Sequence, residues 1–199
     1  TTLGLGYAVA LCDMVLALAI PSPVARSAGI MVPILRPLMT QGYKSDPNKG
    51  TEKRVGSYLV AVELTMCSKF SVMWATGGSW NSIIQKYCND AGVSMSWMEW
   101  FLANLPHHLI QFALTPLILY FLFKPTVTSS PDAAKLADKK LKELGAVTMQ
   151  EWITLAVFTV CCVFWAVGSN IASLNFLGAT TVAACGVLVL LLTGVLDFN

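Results

Sequence analysis

Apolar residues run along this chain in long blocks, and short polar stretches cut the blocks apart. The first two blocks, 1–20 and 30–42, flank Pro21-Ser22-Pro23-Val24-Ala25-Arg26-Ser27-Ala28-Gly29. Neither arm makes a comfortable full span once its polar tip is subtracted, so the pattern predicts a re-entrant helical hairpin. The next block, 55–75, is long enough to cross most of a bilayer, which needs about 20 residues. It breaks at Ala75-Thr76-Gly77-Gly78-Ser79-Trp80-Asn81 and resumes as a short segment, 82–88. Adjacent glycines in an apolar helix cost roughly 1 kcal/mol each against Ala.

A polar turn, 89–96, ends at Ser96, and Glu99 three residues on completes a capping box. The helix it opens runs to about Phe123, with kinks expected at Pro106 and Pro116. Within the polar stretch 124–148, Ser130-Pro131 opens a short amphipathic helix with Ala133, Ala137, Leu141 and Leu144 on one face, ended by Gly145. Thr148 and Glu151 form a second capping box, and a long apolar helix follows to about Val167. A turn, Gly168 to Asn175, leads to the last apolar run, 176–196.

Composition agrees with this pattern. Apolar residues make up 55% of the 199 and charged residues 12%, against about 25% charged in a soluble domain. Mean hydropathy is +0.64. The chain reads as an all-α, polytopic integral membrane protein and, from its abrupt ends, as an internal fragment of a longer one. Basic residues give its orientation. Loop 43–54 holds Lys44, Lys49, Lys53 and Arg54, and loop 124–148 holds Lys124, Lys135, Lys139, Lys140 and Lys142. The intervening loops hold only Lys86. Nine against one places 43–54 and 124–148 in the cytoplasm.

The candidate chemistry sits at the two breaks. Irregular backbone at membrane depth survives only where it is buried in protein or lines a water-filled cavity, and in transporters such segments bind substrate and ions. Charges inside spans are costly in lipid, which draws attention to Asp13, Glu63 and Lys69. Glu63 and Lys69 lie about 240° apart around their helix and do not pair. Arg26, beside the tip, either attracts an anion or anchors the hairpin. His107 and His108 diverge by about 100°, so they suit interhelical hydrogen bonding better than metal binding. Trp97 and Trp100 read as an outer aromatic belt. The six cysteines have no metal-ligand spacing and read as free, inert thiols. No nucleophile–base pair, phosphate loop or nucleic-acid surface is present, so an enzyme is not expected.

Several fragments, taken in order, carry a resemblance. They are Leu5-Gly6-Tyr7-Ala8, Pro21-Ser22-x-x-Ala25-Arg26, Gly29 with Pro33, and Thr76-Gly77-x-x-x-Asn81. Trp97-x-x-Trp100-Phe101-Leu102, Lys124-Pro125 and Gly145-Ala146-x-Thr148-x-x-Glu151-Trp152 follow. The chain resembles the divalent anion:sodium symporter family, and most of all its branch of citrate, tartrate and 2-oxoglutarate/malate translocators. The resemblance implies two inverted repeats with broken helices meeting at the midplane. Here 1–42 would be the hairpin, 43–123 the broken helix and its partner, 124–148 a cytoplasmic linker, and 149–199 two helices starting the second repeat. It also implies a location in the cell (inner) membrane, a homodimer, and alternating-access transport of di- or tricarboxylates by exchange or sodium symport.

The family tip reads Ser-Asn-Thr, and the matching positions here are Ser22, Pro23 and Val24. The substrate site implied is Ser22, Pro23, Val24, Ala25, Thr76, Gly77, Gly78 and Asn81. A coupling sodium ion would use Ser22 and Gly77, and no other cofactor is implied. Two polar side chains of the family tip are replaced, and Trp80 stands where the family has Pro in the break. The alternative reading is therefore a degenerate, non-transporting paralogue or membrane scaffold.

Overall fold

The computed structural model describes residues 1–168 and 178–196. All regular elements among them are helical, with no strand among the described residues. The first arm, α1 (Thr2–Ala19), is capped by the Thr1 hydroxyl, which accepts from Gly4 N. It stops at Ile20, whose extended backbone is the conformation a following proline favours. The chain turns at Pro21-Ser22 and re-enters as α2 (Pro23–Arg26). Pro23 sits in the first turn, where its missing N–H costs nothing. The return arm continues through a π-helical turn, Ser27–Met31, then α3 (Val32–Pro37), then a second π-helical turn, Leu38–Gly42. The first wide turn immediately precedes Pro33, whose ring would crowd the carbonyl four residues back in a regular α-helix.

Both ends of the hairpin close on one segment. Thr2 N donates to Thr128 O at 2.8 Å, and Ser130 Oγ donates to Gly42 O at 2.7 Å. A Cβ on Gly42 would stand 2.9 Å from Ala133 Cα. Lys53 and Arg54 carbonyls accept from Thr126 and Val127 amides. The loops 43–54 and 124–130 therefore lie at one level, with the start of the chain. The first arm, 18 residues, is long enough for a span, contrary to the expectation that its polar tip leaves it too short. It is one of three helices long and apolar enough to cross a membrane, with Trp97–Phe123 and Met149–Val167.

The centre of the fold is α4 (Gly56–Met73). Tyr58, Leu59, Val62, Met66, Phe70 and Met73 are all buried against α1, the return arm and α6. α1 approaches closely because Gly6 faces Tyr58; a Cβ there would overlap the phenol. The helix breaks over 74–78 and resumes as α5 (Ser79–Asp90). The break is shorter and earlier than expected, because Ser79, Trp80 and Asn81 already lie in the first turn of α5.

α6 (Trp97–Phe123) opens with the expected capping box. It remains one helix through Pro106 and Pro116. Near Pro116 neighbouring tyrosines donate to its carbonyls, Tyr7 to Ala113 O and Tyr58 to Pro116 O. Trp97 and Trp100 do not form an outward belt. Trp100 is buried, and Trp97 stacks on Trp74 with ring centroids 5.7 Å apart.

α7 (Pro131–Leu144) has the expected Ser130 cap, and Gly145 leaves it at φ +73°. Of its predicted apolar face only Ala133 packs inward; Leu141 and Leu144 are 68% and 79% exposed. α8 (Met149–Val167) begins with the Thr148–Glu151 capping box and pairs with α9 (Ala179–Leu192). Apart from Gly168, the predicted turn to Asn175 lies outside the described residues.

Candidate functional site

At the hairpin tip, Ser22 is the N-cap of the return arm. Its hydroxyl oxygen accepts from Ala25 N at 3.3 Å. Ser22 and Pro23 are half-buried, whereas Ala25 is exposed and Val24 is 73% exposed. The Pro-Val replacement therefore keeps a well-formed helix start, and Val24 N–H remains as a backbone donor at the tip.

Arg26, one residue beyond, is wholly buried, and its reading as an anchor holds. Nε donates to Asp13 Oδ1 at 2.9 Å and Nη1 to Ile20 O at 2.7 Å. Nη2 donates to Cys67 O at 2.6 Å and Ser71 Oγ at 2.9 Å. One guanidinium thus ties the tip to both α1 and α4, and it is not available to an anion. Asp13 is the other half of this buried pair.

At the break, the open question is where the last carbonyls of α4 find donors, because a helix end leaves four without intrahelical partners. Asn81 answers for two places: its Nδ2 donates to Ser71 O and Trp74 O, both at 2.8 Å. Trp100 Nε1 donates to Val72 O at 2.9 Å, and a ring nitrogen of His108 bonds Lys69 O at 2.8 Å. Asn81 is fully buried, and its Oδ1 has no hydrogen-bond partner among the described residues. His107 bonds Gln111 instead, so the two histidines separate as their spacing required. Asn81 and His108 thus act as clamps on the broken helix. The signal for Asn81 was in the sequence, but its partners were not.

The break also grips the hairpin. Trp74 Nε1 donates to Met14 O at 3.0 Å. Gly77 is buried so tightly that a Cβ would stand 2.8 Å from Ser71 O and 3.1 Å from Ala17 O. Only glycine fits where a loop crosses the end of α1 at this range. Thr76 Oγ1 accepts from Trp97 Nε1 at 3.3 Å.

Tip and break meet around a cavity of about 730 Å³, whose walls include Pro21, Thr76, Gly78, Ser79, Ser82 and Trp165. α5 starts here with Gly78 as its N-cap and no side-chain cap; Asn81 N bonds Gly78 O, and the Ser79 and Trp80 amides are left for a ligand. Of the eight candidate residues, Thr76 and Gly78 line this cavity. Ser22, Pro23, Val24 and Ala25 lie beyond it at the tip, and Gly77 and Asn81 lie behind its wall. A second groove between α8 and α9, about 420 Å³, is lined by apolar groups around Cys161, Val182 and Gly186 and offers a carboxylate no donor. Glu63 is fully buried in α4 and contacts neither cavity.

The profile described as the sodium:sulfate symporter transmembrane region matches residues 1–199. The chain belongs to this family. Among curated proteins it is similar to "Putative malate transporter YflS" of Bacillus subtilis (strain 168), 38% identical over all of the chain and 41% of that relative. Dicarboxylate transporter 2.1, chloroplastic, of Arabidopsis thaliana is 32% identical over all of the chain and 35% of its own length. The citrate/succinate antiporter of Escherichia coli (strain K12) is 33% identical over 92% of the chain and 37% of its own. The chain thus spans well under half the length of these relatives. Membership of this symporter family fits the helical architecture with a hairpin and an interrupted helix described above.

Proposed function

We propose that the full-length protein is a secondary carrier for di- or tricarboxylate anions, moving them by alternating access in exchange or with sodium. The observation that carries this reading is the cavity at which the hairpin tip meets the uncapped start of α5. A helix N-terminus with free amides is an anion site, and Thr76, Ser79 and Ser82 add hydroxyl groups around it. The tip at Ser22, Pro23, Val24 and Ala25 completes the substrate site, with Thr76, Gly77, Gly78 and Asn81 from the break. Side-chain donors lost at Pro23 and Val24 leave more of the binding to backbone amides. The names of the relatives, transporters of malate, dicarboxylates, citrate and succinate, support this substrate class.

Sodium coupling is supported by the family description. The oxygens it would use are the Ser22 hydroxyl and the backbone around Gly77, beside the Ala17 and Ser71 carbonyls. The basic loops 43–54 and 124–148 face the cytoplasm of a cell (inner) membrane by their charge, and the carrier works as a homodimer by family likeness.

The test is uptake by proteoliposomes holding the full-length protein, with citrate, succinate, malate and 2-oxoglutarate offered on either side, with and without sodium. Counter-anion-dependent or sodium-dependent uptake is expected. Ser22→Ala is expected to weaken it, and Gly77→Val to abolish it. No uptake under any condition overturns the carrier reading; full activity of both variants overturns the site.

A further inference from the structure

Behind the hairpin tip the fold encloses more negative than positive groups. Asp13, Arg26 and Glu63 are all fully buried. The guanidinium of Arg26 is committed to Asp13, Ile20 O, Cys67 O and Ser71 Oγ, so Asp13 and Arg26 form a closed, neutral pair. Glu63 is left over. Neither of its carboxyl oxygens has a hydrogen-bond partner among the described residues, nor does Ser27 Oγ beside it. The groups that act on Glu63 are Asp13 from α1, and Arg26 and Ser27 from the return arm. Cys67, one turn on along α4, is the other titratable neighbour, and α6 presents none among the described residues. Glu63 has no exposed surface, so nothing outside these helices reaches it unless they move.

An ionised carboxylate without a donor is among the costliest groups to bury. Two carboxyls and one guanidinium become neutral on gaining one positive charge. The three unpartnered oxygens of Glu63 and Ser27 fall short of the oxygen shell that hard metal cations take. A proton on Glu63 needs no such shell; the Ser27 hydroxyl beside it can accept from the protonated carboxyl or donate to the ionised one, but one hydroxyl does not offset the burial of the charge.

We propose that Glu63 is a proton-binding site of the carrier, and that the proton it takes up and releases is linked to movement of the hairpin. The proposal rests on the carrier reading above. The link is Arg26, which lies in the same turn as the tip residues Val24 and Ala25. When the helices part and water reaches Glu63, its O–H bond breaks, the proton passes to that water and the electron pair stays on the carboxylate. That carboxylate then competes with Asp13 for Arg26, and Arg26 takes the tip with it.

The first test is malate exchange in proteoliposomes of the full-length protein, at equal pH on both sides. The range is about pH 7 to 9, where malate carboxyls stay ionised. The wild-type rate is expected to fall by up to about tenfold per pH unit above the Glu63 titration point. Glu63→Gln flattens that profile and Glu63→Asp displaces it. A flat wild-type profile, or a wild-type profile retained by Glu63→Gln, overturns the link. The second test reads the proton without transport, by infrared difference spectra of the purified full-length protein over pH steps. A protonated-carboxyl band that Glu63→Gln removes is expected. Its absence from the wild type, or its persistence in Glu63→Gln, overturns the proton site. The band present with no anion transport at all overturns the carrier reading and leaves the proton site standing.

Discussion

At the scale of single residues, the fold depends on two kinds of position: one that must be empty and one that must be charged. Gly6 is the first kind. Gly6→Ala drives a methyl into Tyr58, and overpacking of that sort costs about 1–3 kcal/mol. Gly29→Ala, with nothing within 4 Å of its Cβ, is the matched control and should be near neutral. The unfolding midpoint of the purified protein in detergent distinguishes the two. Asp13 and Arg26 are the second kind. Removing either leaves the other buried and unpaired, at about 3–5 kcal/mol. The double variant Asp13→Ala/Arg26→Ala should cost less than the sum, because the two losses share one interaction. The same thermal measurement, run as a cycle, checks it. The sequence announces Asp13, Arg26 and Glu63 as charges in apolar surroundings. It cannot tell that two of them pair and one does not, because pairing across 13 residues depends on how the turn at Pro21-Ser22 is packed.

At the scale of elements, the broken helix is held by donors from other segments rather than by its own ladder. Asn81→Ala leaves Ser71 O without a donor, which costs about 1–3 kcal/mol for a buried carbonyl, while Trp74 O keeps its bond from Gly77 N. Asn81→Asp should be worse, since it sets an acceptor against two acceptors. Hydrogen exchange across 70–82 is the measurement, and faster exchange confined to that stretch is the expected outcome for Asn81→Ala. Capping boxes and glycines marked most boundaries correctly, because those signals are local: Ser96 with Glu99, Thr148 with Glu151, Ser130 before Pro131. The break ends three residues before the sequence pattern predicts, because Ser79-Trp80-Asn81 is polar enough to read as loop. Those residues form a first helical turn because Asn81 Nδ2 is used there, on Ser71 O and Trp74 O. The apolar face of α7 was legible too, but not that only Ala133 finds a partner within this part of the chain.

At the scale of the molecule, hairpin ends and basic loops converge at one level, which makes sidedness a sharp test. In a background without the six native cysteines, Lys49→Cys and Lys139→Cys should react with an impermeant maleimide from the same side, and Gly92→Cys from the other. Labelling of Lys49→Cys and Lys139→Cys from opposite sides would refute the shared level. The Asp13–Arg26 pair has a consequence for how the protein is made. Each charge alone, at the centre of a nascent segment, opposes insertion by about 2.5–3.5 kcal/mol. The first arm leaves the ribosome before Arg26 does, so its entry into the bilayer is provisional until the return arm arrives. The hairpin should therefore enter as a unit, and a nascent chain stopped at the tip should slip back out.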